Sequence, residues 1–142
     1  GVNTFLSGGA LGFDLMAARA VLELRKQYAE IRLIFVLPCM DHTAKWRPEE
    51  IHCFKKLQAQ AGESICLFGS YHKSCMKERN LFLVRHGAYC VSALRNNRAT
   101  GTAQTVRFAV DNEIPVYNLL ESDLLTELTE RHEQARDRIE PS

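Results

Sequence analysis

Long apolar runs are missing from this 142-residue chain, and nothing approaches the ~20 consecutive apolar residues of a membrane-spanning helix. No secretory signal pattern is visible, so the reading is a cytoplasmic domain with no membrane partner. Charge of one sign is lacking too. Lys and Arg total 18 against 17 Asp and Glu, for a net charge of +1. No global field therefore draws the chain to nucleic acid or membrane. Paired-cysteine motifs are absent: Cys39, Cys53, Cys66, Cys75 and Cys90 are odd in number and form no C-x-x-C. They read as reduced, mostly buried thiols in a reducing compartment. Cys39, His42 and Cys75 have no recognised ligand spacing, so no metal is expected. Neither the dinucleotide fingerprint G-x-G-x-x-G nor a Walker A loop occurs. No linker, repeat or low-complexity segment divides the chain, and its length and composition suit one globular domain over residues 1–142.

What is present centres on Phe5-Leu6-Ser7-Gly8-Gly9-Ala10-Leu11-Gly12-Phe13-Asp14. This stretch predicts a short apolar strand, a glycine turn, and a helix from about Phe13 to about Tyr28. Leu15, Met16, Ala18, Val21, Leu22 and Leu24 fall mostly on one face of that helix. Glycines let the backbone turn tightly and let a ligand approach its amides. The helix start adds unpaired N–H groups and the positive end of its dipole. A plain βα turn and a ligand loop both fit this pattern.

Ile31 to Leu37 reads as a buried parallel strand. The loop after it, to about Arg47, carries Asp41, His42, Lys45 and Trp46. In open α/β sheets such loops form the ligand crevice. Trp46 either stacks on a base there or packs the loop onto the next helix. Pro48-Glu49-Glu50 opens that helix, which runs to about Ala61. Residues 64–68 form a third strand, and Cys75 or Met76 opens a helix reaching about His86. Arg79 and Asn80 lie near its start. Arg79 suits a phosphate or carboxylate, or pairs with an acid at the surface. Residues 88–94 form a fourth strand. Gly101-Thr102 then opens a helix, with Thr102 as an N-cap or a phosphate donor. A fifth strand spans 114–119, and a last amphipathic helix runs from Ser122 to about Arg138. Strands and helices alternate throughout. That predicts an α/β fold, a Rossmann-like three-layer sandwich with a mostly parallel sheet and helices on both faces.

The glycine stretch, Ala17-Ala18, Val21 to Arg25, Leu37-Pro38-Cys39, Lys45-Trp46, Cys75-Met76-x-x-Arg79-Asn80 and Gly101-Thr102-x-x-Thr105-Val106-x-x-Ala109 resemble the YpsA-like family of the SLOG superfamily. That superfamily also holds the DNA-processing protein A and the lonely-guy phosphoribohydrolases. The resemblance spans Gly1 to about Leu120. It implies a Rossmann-like fold and a site for a nucleotide or nucleotide derivative such as NAD, ADP-ribose or AMP. By position, Gly8, Gly9, Gly12, Asp14, Trp46, Arg79, Asn80, Gly101, Thr102 and Thr105 would line that site.

Three departures stand out. Family members usually begin with a strand and helix ahead of the glycine stretch, and this chain starts after both. An N-terminally truncated domain is expected to leave a gap between the strands around Phe5 and Ile65, and to rearrange its sheet or pair with another copy. Where the lonely-guy enzymes carry a glutamate, Gln104 and Thr105 stand, and neither serves as a carboxylate acid or base. Thr100 replaces a usual glycine.

A nucleotide-binding domain without demonstrable catalysis, with a sensor as one form of it, is the leading expectation. The alternatives are a nucleotide hydrolase using Asp14 as acid or base, and a single-strand nucleic-acid binder using the loop cations. For Asp14 the competing reading is structural: it caps the helix or hydrogen-bonds the glycine turn.

Overall fold

The computed structural model describes residues 1–94 and 100–120, together with Glu130 and Gln134. The helix expected over 122–138 otherwise lies outside the described residues. The chain forms two compact units, Gly1–Gly87 and Ala88–Ser142.

The first unit runs β1 (Thr4–Ser7), α1 (Phe13–Arg25), β2 (Arg32–Cys39), α2 (Pro48–Ala61), β3 (Glu63–Phe68) and α3 (Cys75–Arg85). Its sheet has the order β1-β2-β3 with every pairing parallel. Register sets Leu6 beside Ile34 and Val36 beside Ile65. The expected gap between the strands around Phe5 and Ile65 is therefore absent, because β2 lies between them and pairs with both. β2 is the most apolar strand, and the central place is where an apolar strand loses most water-exposed surface. Among the described residues of this unit, the outer sides of β1 and β3 carry no strand partner.

Strand alternation puts Leu33, Phe35 and Leu37 on one face of β2. There they join Leu15, Ala18, Val21 and Leu22 of α1 and Phe54, Leu57 and Ala61 of α2 in a single core. Phe54 is fully buried, and its ring meets Phe35 edge-on at 5.4 Å. Burying one such aromatic contributes about 1.5–3 kcal/mol.

Local chemistry sets the helix limits. Pro48 sits in the first turn of α2, and Glu50 accepts from the Arg47 backbone N–H at 3.0 Å. Gly62 ends the helix at φ 79°, the left-handed value that favours glycine at this position. α1 stops at Arg25, one turn short of the expected Tyr28.

The second unit pairs β4 (Cys90–Ser92) in parallel with β5 (Val116–Asn118), joined through α4 (Gly101–Asp111). Both strands are shorter than the sequence pattern predicts. The Asn118 side chain continues the pairing beyond them, with Leu94 N donating to its Oδ1 at 2.9 Å and its Nδ2 donating to Leu94 O at 3.0 Å. Thr100, not Thr102, caps α4, its Oγ1 accepting from Ala103 N at 3.1 Å.

The architecture is α/β and Rossmann-like, with parallel strands connected through helices. All five cysteines are free: Cys39 and Cys75 are buried, Cys53 and Cys90 half-buried, and Cys66 exposed. Among the described residues no helix is long and apolar enough to cross a membrane.

Candidate functional site

A cavity of about 540 Å³ opens in the first unit, within the size range of small-molecule sites. Gly8, Ala10 and Leu11 of the glycine turn form one side. Pro38 and Cys39 at the end of β2 and the following loop, with Asp41, His42, Ala44, Lys45 and Trp46, form a second. Tyr71 and the first turns of α3, through Met76 and Arg79, complete it. These are segments following the C-terminal ends of parallel strands, where α/β sheets leave a crevice.

Arg79 ties the walls together. It is 5% exposed; its Nη1 donates to the Gly8 carbonyl and its Nε to Asn80 Oδ1 at 2.9 Å. Burial pulls the guanidinium pKa down, while the nearby Asp14 carboxylate and Cys75 push it back up. Asp14 also reaches the turn, its Oδ2 accepting from Ala10 N at 3.2 Å. Ser7 Oγ accepts from Gly9 N at 3.3 Å. The glycine turn thus closes on the protein's own acceptors.

The glycines answer to packing. A Cβ on Gly8 would lie 2.5 Å from Arg79 Nη1 and 2.8 Å from Asp14 Oδ2. Gly9, at φ 67°, would drive a Cβ to 2.9 Å from Leu37 and 3.3 Å from Phe54. Gly12, at φ 91°, is the N-cap residue of α1 with open space around it.

The loop wall is aromatic. His42 meets Phe54 at 5.0 Å and Trp46 at 5.3 Å, both edge-on, and Trp46 meets Phe54 at 5.8 Å. Trp46 therefore packs the loop onto α2 and also lines the cavity. Burial lowers the His42 pKa, and the charges of Arg79 and Lys55 add to that, against a smaller upward pull from the Gly9 backbone and Asp41. The His42 Nε2 is buried and has no hydrogen-bond partner among the described residues. Asp41 Oδ1 accepts from Tyr71 N at 3.0 Å and joins this loop to the one after β3.

Burial first, then the Asp41 side chain, pushes the Cys39 thiol up to about 12. A thiol held protonated is a poor nucleophile. No group of three or more His, Cys, Asp or Glu that could hold a metal occurs among the described residues.

Of the residues singled out in the sequence, Gly8, Trp46 and Arg79 line the cavity. Asp14 and Asn80 support it through Ala10 and Arg79. Gly101, Thr102 and Thr105 belong to the second unit, and Thr105 Oγ1 bonds back to the Gly101 carbonyl at 3.0 Å. Asp41, His42, Lys45 and Tyr71 line the cavity too. Their signal in the sequence was position, since each lies in a loop after a strand.

The family model YpsA, described as the YspA SLOG family, matches residues 1–119. The chain belongs to this family. A UPF0398 protein of Oenococcus oeni is 23% identical over 142 aligned residues, covering 96% of this chain and 76% of the relative. A UPF0398 protein of Staphylococcus epidermidis is 28% identical over 96 residues, which is 64% of this chain and 50% of the relative. An uncharacterised SPbeta prophage-derived protein of Bacillus subtilis, YoqJ, is 25% identical, covering 74% of this chain and 68% of the relative. The chain thus spans half the length of its Staphylococcus relative. The family model takes in the whole glycine turn, the 38–47 loop and α3, which together build the cavity.

Proposed function

We propose that this member of the YpsA family binds a small nucleotide-derived ligand in the cavity of its first unit. The observation that carries the reading is the cavity itself. It joins a mostly apolar, aromatic-walled interior to a few polar groups, Asp41, Lys45 and Arg79, beside a glycine turn. Trp46 offers a flat apolar surface to a base, and Lys45 is an exposed cation for an anionic group. Family membership supports a nucleotide-related role. NAD, ADP-ribose and AMP are the first candidates.

The test is a thermal-shift screen of the whole chain against nucleosides, nucleotides and dinucleotides, repeated on Ala44→Trp. Ala44 is exposed and lines the cavity, so a large side chain there fills the space without entering the core. A ligand that binds the native state raises the melting temperature by mass action. The reading expects a shift that Ala44→Trp abolishes. A shift equal in both proteins, or no shift with any of these compounds, overturns it.

A further inference from the structure

We infer that the cavity takes the uncharged nucleoside end of its ligand, and that Asp14 closes the glycine turn to phosphate. This rests on the nucleotide reading for the ligand, and on independent geometry for the turn.

A glycine turn that holds phosphate presents free N–H donors, not already taken by the protein's own acceptors. Here the turn already holds an anion of its own. Asp14 Oδ2 accepts the Ala10 N–H at 3.2 Å. Ser7 Oγ accepts the Gly9 N–H at 3.3 Å. The buried cation among the described residues nearby is engaged as well: Arg79 gives Nη1 to the Gly8 carbonyl and Nε to Asn80, and the Asp14 carboxylate favours its charge. A phosphate entering this corner would meet a carboxylate, and two anions so close in a partly buried site repel strongly. The rest of the cavity is suited to a flat, weakly polar group, with Pro38, Ala44, Trp46 and Met76 on its walls. Among the described residues that line the cavity, Lys45 is the exposed cation for an anionic tail. Such a charge contributes little and is screened by salt.

The experiment uses the whole chain, with Trp46, its one tryptophan, as a fluorescent reporter in the cavity and thermal shift as a second readout. Adenosine, AMP and ADP, the guanosine series, and inorganic pyrophosphate are titrated into the native protein, Asp14→Asn and Asp14→Ala. Asp14→Asn keeps an oxygen acceptor for the Ala10 N–H, so it serves where Asp14→Ala does not fold. The native protein is expected to bind a nucleoside and its phosphates within about threefold of each other, and to ignore pyrophosphate. Either Asp14 variant is expected to gain pyrophosphate binding and to favour the phosphorylated ligand by about tenfold or more. Pyrophosphate binding by the native protein overturns the inference. So does a native preference of about tenfold for the nucleotide over its nucleoside, or folded Asp14 variants that gain no anion binding. If no nucleoside or nucleotide binds at all, the nucleotide reading and the nucleoside half of the inference fall together. The pyrophosphate titrations then still decide whether Asp14 closes the turn.

Discussion

The Gly8 carbonyl accepts a hydrogen bond from Arg79 Nη1 across 71 residues of sequence, and a Cβ on the same glycine would stand 2.5 Å from that nitrogen. The glycine turn and α3 are joined by one contact that admits no side chain at position 8. Gly8→Ala must therefore displace the buried guanidinium or the turn, at a cost of about 1–3 kcal/mol. Urea denaturation measures the loss. Gly69→Ala is the control, since nothing lies within 4 Å of a Cβ there, and its stability is expected within about 0.5 kcal/mol of the native protein.

Removing the other partner is costlier. Arg79→Ala leaves the Gly8 carbonyl and Asn80 Oδ1 without their donor and Asp14 without its neighbouring cation. Breaking a buried charged network in this way costs about 3–5 kcal/mol. Arg79→Lys keeps the charge but cannot reproduce the fork, so it is expected to recover only part of that loss. Equilibrium unfolding of both variants checks the order.

Phe54 tests the core beneath the cavity. It is fully buried and carries edge contacts to Phe35, His42 and Trp46. Phe54→Ala should cost about 3–5 kcal/mol. The emission of Trp46 should shift to the red as the ring loses its packing partner, which steady-state fluorescence records.

His42 gives the fold an acid-side dependence. Its folded pKa lies below the ordinary 6.5 because of burial and the charges of Arg79 and Lys55. Below that ordinary value the unfolded ring takes up a proton that the folded ring still refuses. The unfolded state then binds more protons, and stability falls as pH falls until the folded pKa is passed. His42→Phe is expected to flatten this part of a urea-midpoint profile taken from pH 7.5 down to 5.

Cys39 acts on the alkaline side. Its thiol titrates near 12 in the fold, against an ordinary 9.0, chiefly through burial. Burial raises Cys90 in the same direction. Above the ordinary value the unfolded thiol loses its proton first, so stability present below pH 9 declines as pH rises toward 12. The slope from one such thiol approaches about 1.4 kcal/mol per pH unit. Urea midpoints at pH 8 and pH 10.5 should differ less in Cys39→Ala than in the native chain.

By itself the sequence determined the alternation of strands and helices, the apolar character of β2, and the start and end of α2 at Pro48 and Ala61. These follow from periodicity, proline and glycine, which act over a few neighbouring residues. It also placed the loops that wall the cavity, because a loop after a parallel strand faces the crevice in any such sheet. Only the tertiary structure decided that β2 separates β1 from β3, since strand order depends on pairing between distant segments. Tertiary packing likewise decided what the glycines are for. Gly8 makes room for Arg79 and Asp14, and Gly9 makes room for Leu37 and Phe54; of these only Asp14 lies near the turn before the chain has folded. The same packing set the Asp14 carboxylate against the Ala10 amide, the hydrogen bond to the glycine turn that was one of the structural readings open in the sequence. A carboxylate four residues from a glycine turn has several partners within reach, and the folded backbone selects one.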